Sequence, residues 1–304
     1  MRTFRHDAEP PRREHLTLRA SPDFNFKATL AYFAARAVPE IEQVGPHWYE
    51  RTVGISGDTY VMKIDFANLR CGAIRVSAPG VDLALHSEAI RATAVAIFDL
   101  EADTAAIESH ISADPTIGRV VSRQRAVGIP GAPDPFEVAV RAVLGQQISV
   151  RSAARLVRSL TREYGRPTAG EPVGPTRAFP AAEDLAEADL SHLGVPRQRA
   201  GAIVALAQEV ASGRLVLSPA KPAAALESLL RIRGIGPWTA SYVALRGLKC
   251  GDAFPASDLG LRAACSDSEM PLTTPALLAR AERWRPWRGY AAVHLWTSLL
   301  AGSD

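Results

Sequence analysis

No apolar run in the 304-residue chain approaches the roughly 18 residues that a membrane-crossing helix requires, and the opening stretch MRTFRHDAEPPRREH holds no apolar signal core. The expected location is therefore the cytoplasm, associated with the nucleoid if the partner is DNA, with no membrane partner. Net charge is also scarce. The 35 Lys and Arg residues against 32 Asp and Glu leave a formal +3, which excludes a uniformly basic nucleic-acid coat and makes any basic surface local. The only cysteines, Cys71, Cys250 and Cys265, lie far apart and form no C-x-x-C pair. That excludes an iron-sulfur cluster or a structural zinc and suits a reducing compartment. The seven histidines show no H-E-x-x-H spacing, so no metal held by side chains is expected. No repeat of fixed period is visible.

A hydrophobic content of 47% over this length is enough for two or three domains with real cores. Residues 1–15 mix Arg, Pro, Asp and Glu without periodicity and read as a disordered tail. The pattern then predicts a short helix over 26–38. Tyr60, Met62, Ile64 and Phe66 alternate with polar neighbours as a half-buried strand, joined through Ser56-Gly57-Asp58 to a strand over 48–55, and 73–77 offers a third. Beyond residue 134 the pattern is helical. Asp134-Pro135-Phe136-Glu137 combines an N-cap, a first-turn proline and a capping-type glutamate. Further helices are predicted over 151–164, 184–193, 197–212 and 222–232, with a Pro/Gly-rich loop over 165–180 and a last helix opened by Pro286 that carries Trp287, Tyr290, His294 and Trp296.

The most informative stretch is RIRGIGPWTASYVALRGL, from Arg231 to Leu248. Gly234 and Gly236 suit a turn that needs positive φ or a close backbone approach, and Pro237 suits the first helical position. Helix, Arg-Gly-Ile-Gly, helix is a helix-hairpin-helix signature. It presents free backbone amides to phosphates without reading sequence, and Arg233 beside the turn adds charge. On the turn alone, an ordinary tight connection between packed helices stays open.

This hairpin followed by DAFPASDLGLRAA resembles the helix-hairpin-helix DNA glycosylase superfamily, whose mark is an aspartate about twenty residues beyond the turn. FAARAV, RAVLGQQISV and ERWRPWRGYAAVHLW resemble, in the same order, the bacterial 3-methyladenine DNA glycosylase II family over about residues 16–300. The resemblance implies an α+β fold: a small antiparallel-sheet (TBP-like) N-terminal domain, then mainly α-helical domains with the active site in the cleft between them. The expected division is an α+β domain over 16–110, a helical domain with the hairpin over 131–250, and a second helical domain from 111–130 plus 251–304. It implies a monofunctional hydrolase of the N-glycosidic bond of alkylated purines such as 3-methyladenine and 7-methylguanine, monomeric on double-stranded DNA. The alternative is a catalytically silent DNA-binding protein that keeps the hairpin. No cofactor is required; a monovalent cation on the hairpin's backbone carbonyls is implied by the resemblance.

Residue by residue, the family's catalytic aspartate falls on Asp258. By itself Asp258 reads as an N-cap; the two roles are compatible, since helix-start amides and the helix dipole favour carboxylate charge there. Asp252 nearby maps to a non-catalytic position. Lyases of the superfamily carry a lysine two residues after the last hairpin glycine; this chain has Trp238 there, which leaves no amine for a Schiff base at that position. Trp238, Tyr242 one turn further along the same face, Trp296 and Tyr32 each read as core alone and as a base pocket together, with electron-rich faces suited to a cationic base. A flipped base leaves a gap, and the family's apolar wedge position holds Gln147, a departure that offers the orphaned base a hydrogen bond. Gln146 is the better candidate for bonding backbone across the turn. Thr239 reads as a phosphate contact or a local cap, and His294 as a helix-packing residue.

Overall fold

The computed structural model describes residues 14–168, 174–266 and 268–301. The predicted N-terminal tail, apart from its last two residues, lies outside the described residues. Five strands, β1 (Leu16–Arg19), β2 (Glu42–Val44), β3 (Trp48–Ile55), β4 (Asp58–Asp65) and β5 (Ala73–Ser77), form one antiparallel sheet in the order β1-β5-β4-β3-β2. The β3–β4 hairpin closes through Ser56 and Gly57, both at positive φ (51° and 93°), the two-residue turn whose twist matches that of the strands. Register then sets Tyr49 opposite Ile64, Ile64 opposite Val76 and Val76 opposite Leu16, one buried row across the sheet. Helices α1 (Phe26–Ala34) and α2 (Ser87–Phe98) cover this face. Phe98 stands edge-on to Phe33, Tyr49 and Phe66 at centroid distances of 5.5, 5.6 and 4.8 Å.

Two short strands, β1 and β2, and helix α2 went unrecognised in the sequence, and α1 is four residues shorter than predicted. Pro39 explains the shortening, because the residue before a proline is pushed out of the helical region and Val38 cannot extend α1.

Two helical cores follow. One is built from α5 (Pro135–Leu144), α6 (Val150–Tyr164), α7 (Ala182–Leu185), α8 (Arg197–Ala211), α9 (Pro222–Arg231) and α10 (Pro237–Arg246) around Phe136, Val143, Leu160, Leu206, Leu229 and Val243. The other brings α3 (Thr104–Ile111) and α4 (Pro115–Arg123) together with α11 (Leu259–Ala264), α12 (Thr274–Ala281) and α13 (Arg288–Ala301) around Ile111, Ile117, Leu261, Trp284 and Leu295. The chain thus visits this second core twice, and the residues between 129 and 245 loop out of it to make the first. The single helix expected over 184–193 is split. Asp184 reaches back to the Ala181 amide (2.9 Å) and starts α7 two residues early, while Asp189 accepts from the Ser191 amide (3.0 Å) and opens a separate 3-10 turn. The last helix begins at Arg288, two residues after Pro286. His294 is a packing residue, buried with its Nε2 3.5 Å from the Glu108 carboxylate. Among the described residues no helix is long and apolar enough to cross a membrane.

The sheet is fastened to α5 by buried charge. Glu137, read from sequence as a capping glutamate, is instead a buried ion-pair residue, 2.6 Å from Arg51 of β3 and 2.9 Å from Arg141. Arg141 also reaches Glu42 of β2 at 2.8 Å, and Glu42 accepts from the Tyr49 hydroxyl. Burial alone would push the Glu137 carboxyl up, but Arg51 and Arg141 outweigh it and hold the group below its ordinary value. The unfolded chain therefore takes up this proton at a higher pH than the folded one. The stabilisation is complete above the ordinary carboxyl range and fades as pH falls through the lowered folded value. Glu137→Ala strands the buried Arg51 guanidinium, Arg141 keeping Glu42, and should cost about 3–5 kcal/mol at pH 7. Urea unfolding at pH 7 and pH 3 checks both statements: the gap between variant and parent should narrow at the lower pH.

Candidate active site

The hairpin between α9 and α10 is held from behind by one side chain. Gln146, just past the end of α5, donates its Nε2 to the Gly234 carbonyl (3.0 Å) and to the Thr239 hydroxyl (2.9 Å). Thr239 is 2% exposed, so its hydroxyl serves this internal clamp, and the outward-facing contact considered for it is not one its side chain makes. Gln147, the next residue, turns the opposite way: its φ of +55° throws it outward, and it is exposed. Consecutive glutamines thus do opposite jobs, one inside the turn and one on the surface.

The two hairpin glycines also differ. Gly234 sits at φ +96°, and a Cβ there would fall 2.9 Å from the Ala202 methyl of α8, so both conformation and space demand glycine. Gly236 has an ordinary φ of −94° as the N-cap of α10, and a Cβ there would meet nothing within 4 Å. Positive φ is thus a property of the first glycine alone. The protein itself does not need Gly236. The space in front of it is open, and the amides of Trp238 and Thr239 beside it have no backbone acceptor among the described residues. Arg233 is exposed next to this opening.

Asp258 caps α11, accepting the Leu261 amide at 3.0 Å. The same carboxylate accepts two indole N–H groups, Trp238 Nε1 on Oδ2 at 2.9 Å and Trp296 Nε1 on Oδ1 at 3.3 Å. The rings come from α10 and α13, on opposite sides of the cleft between the two helical cores. Tethering both indoles by their N–H edges to one anion fixes the angle at which their faces meet the cavity. Tyr242 stacks on Trp238 with centroids 5.1 Å apart and lies 5.7 Å from Trp296. Tyr32, on α1, brings its hydroxyl to within 2.8 Å of the Tyr242 hydroxyl. All four predicted aromatics and Asp258 therefore line one cavity of about 320 Å³.

Asp252 lies elsewhere, engaged by Arg285 and by both ends of the Arg288 guanidinium at 2.9 Å, a structural link to the start of α13. Among the described residues no group of His, Cys, Asp and Glu could hold a metal ion, and none of the three cysteines is in a disulfide.

Sequence reading missed the polar end of the cavity. Arg246, buried on α10, donates to the Tyr242 hydroxyl (2.6 Å) and to the Pro130 carbonyl (2.7 Å), and its guanidinium carbon stands 4.7 Å above the Tyr32 ring. Arg36 also stacks on that ring, at 3.7 Å. Glu42, Arg51, Glu137 and Arg141 line the same cavity. The one available signal was spacing: Arg246 follows Tyr242 by four residues, as Arg36 follows Tyr32, which stacks each arginine over its tyrosine's face of the helix.

Residues 15–134 match the AlkA N-terminal domain, and residues 140–288 match the HhH-GPD superfamily base excision DNA repair protein family. The chain is 39% identical over 285 residues to a Mycobacterium tuberculosis protein named probable bifunctional transcriptional activator/DNA repair enzyme AlkA. That alignment covers 93% of this chain and 57% of the relative, so the chain spans little over half of that protein's length. It is 32% identical over 289 residues to DNA-3-methyladenine glycosylase 2 of Escherichia coli, covering 92% of this chain and 96% of that one. Among solved structures, a 3-methyladenine DNA glycosylase from Archaeoglobus fulgidus superposes with a TM-score of 0.78 at 21% identity, over 92% of this chain and 96% of that one. An 8-oxoguanine glycosylase/lyase from Clostridium acetobutylicum bound to double-stranded DNA superposes at 0.74 and 15%, over 96% and 97%, which at such identities is a likeness of fold. By the two domain matches and the 32% identity over nearly the full length of the Escherichia coli protein, this chain belongs to the DNA-3-methyladenine glycosylase 2 (AlkA) family of HhH-GPD base excision repair proteins.

Proposed function

We propose that this chain is a monofunctional DNA glycosylase that hydrolyses the N-glycosidic bond of alkylated purines flipped out of duplex DNA. The observation that carries the reading is the single carboxylate of Asp258, fixed by two indole N–H groups at the wall of an aromatic cavity. An alkylated purine of the 3-methyladenine or 7-methylguanine type bears positive charge and is attracted to the faces of Trp238, Trp296 and Tyr242. As the bond to the base lengthens, the sugar becomes oxocarbenium-like, and the fixed negative charge of Asp258 stabilises it and orients the attacking water. Among the described residues no lysine lines the cavity. Lys249, whose amine burial pulls down to about 8, is committed behind Gly131 to the Ile129 carbonyl, which supports simple hydrolysis over a lyase step.

DNA is held, in this reading, at the hairpin. The open face of Gly236 lets a phosphate approach the free amides at the start of α10, Gly234 shapes the turn behind it, and Arg233 adds charge. Thr239 contributes its amide, since its hydroxyl is spent on Gln146. Gln147, exposed at the α5–α6 turn, enters the gap left by the flipped base and bonds its orphaned partner. A monovalent cation would be held by the turn's carbonyls, of which Ile232 and Gly234 each accept one protein hydrogen bond and keep a second lone pair. The enzyme acts as a monomer.

Asp258→Asn keeps the shape but removes the charge, and its NH2, which cannot accept, gives up one of the two indole hydrogen bonds. Release of 7-methylguanine from a duplex should fall by about 10²-fold or more at unchanged DNA affinity, measured as single-turnover cleavage of the abasic product alongside a binding titration; a rate near the parent's would remove Asp258 from its role. The hairpin glycines supply a second test. Gly236→Ala should leave the melting temperature in place but weaken DNA binding several-fold, whereas Gly234→Ala should destabilise the fold by about 1–3 kcal/mol through strain at its left-handed backbone. Intact DNA affinity in Gly236→Ala would place the phosphate elsewhere.

A further inference from the structure

The cavity has two chemically different ends, and the mechanism above uses only one. Its aromatic walls attract cations. At the other end Arg246 and Arg36 stack on the Tyr32 ring, and neither has a carboxylate partner among the described residues, unlike Arg51 and Arg141, which pair with Glu137 and Glu42. A surplus of positive charge there works against a cationic base and cannot be there to hold one.

The hydroxyl pair makes the point by count. Tyr32 and Tyr242 bring two O–H protons to oxygens 2.8 Å apart, and Arg246 already donates an N–H to the Tyr242 oxygen. Only one proton fits between the two oxygens. Whichever tyrosine supplies it, the other hydroxyl is left with no acceptor among the described residues, at the wall of the cavity that holds Asp258.

We propose that Tyr242, with Tyr32 and Arg246 behind it, is a hydrogen-bond donor to the departing base, which extends the enzyme's range to neutral purines that leave poorly without one. This rests on the glycosylase reading. A cationic methylated purine leaves as a neutral molecule and gains little from a donor. A neutral purine such as hypoxanthine keeps the electron pair of the broken glycosidic bond and leaves with negative charge spread over its ring nitrogens and oxygen. Water delivers its hydroxyl to the sugar carbon, and its remaining proton ends on the base. A charge-assisted donor that stabilises the base in between lowers this barrier and not the other. The direction of the relay fits. Burial pushes the Tyr32 hydroxyl up to about 12, whereas at Tyr242 Arg246 and Arg36 outweigh burial and bring the hydroxyl below its ordinary value. Tyr242 is thus the stronger donor of the two, and it is the half-buried one, beside Trp238 and Trp296, whereas Tyr32 is buried; when a leaving base offers a better acceptor than the Tyr32 oxygen, Tyr242 donates to it and accepts from Tyr32.

The test compares single-turnover release of hypoxanthine and of 7-methylguanine, each placed singly in the same duplex, by the full chain and by Tyr242→Phe, Tyr32→Phe and the double variant, with melting temperatures as the check on folding. Phenylalanine keeps every ring contact. The hypoxanthine-to-methylguanine rate ratio should fall about tenfold or more in Tyr242→Phe and in the double variant, and less in Tyr32→Phe, which leaves the Tyr242 proton in place. Variants that slow both lesions equally would make the hydroxyls simple packing and overturn the proposal, as would a parent enzyme that releases methylguanine but no hypoxanthine. A parent that releases neither base takes down the glycosylase reading and this proposal with it.

Discussion

One carboxylate organises the cleft. Asp258 accepts the Leu261 amide, the Trp238 indole and the Trp296 indole, so a helix start, the hairpin helix and the last helix all converge on a single anion. Each N–H that it accepts is satisfied in a half-buried place where an unpaired donor would cost about 1–3 kcal/mol. The indole edges, not their faces, take these hydrogen bonds, and one face of Trp238 carries the Tyr242 ring. An aromatic wall and a negative charge set beside it are therefore consequences of the same three hydrogen bonds.

The second constraint is the buried ion-pair cluster of Glu42, Arg51, Glu137 and Arg141. These groups hold the edge of a sheet against a helix of a different core, and they line the cavity that Asp258 also lines. The sheet domain is thereby a wall of the cleft, since α1, packed on that sheet, carries Tyr32 into it. A cavity walled by aromatics at one end and by arginines with hydroxyls at the other can treat two charge classes of base differently without changing shape.

What could be read in the sequence was whatever depends on a few adjacent residues. The β3–β4 hairpin was legible because Ser56-Gly57 between alternating strands leaves few alternatives, and the α9–α10 turn because glycine and proline punctuate it. Asp258 and its aromatics were legible through the resemblance, and the structure brings them together. What was not legible depends on partners distant in sequence. Glu137 looks like a capping residue until Arg51, 86 positions earlier, is brought beside it. Thr239 looks like a surface contact until Gln146 turns it inward, and nothing local distinguishes the roles of Gly234 and Gly236. The helix over 184–193 was misjudged for a subtler reason: Asp184 and Asp189 are each strong enough as caps to restart the backbone, so a continuous pattern was cut by its own polar residues.

The Tyr32–Tyr242 contact joins residues 210 apart, and Trp296 closes the cleft from 38 residues beyond Asp258. A chain growing from the ribosome could fold its sheet long before Tyr242 exists, and the Tyr32 hydroxyl must wait for that partner until α10 has emerged. The cleft is therefore complete only once α13, which carries Trp296, has been made.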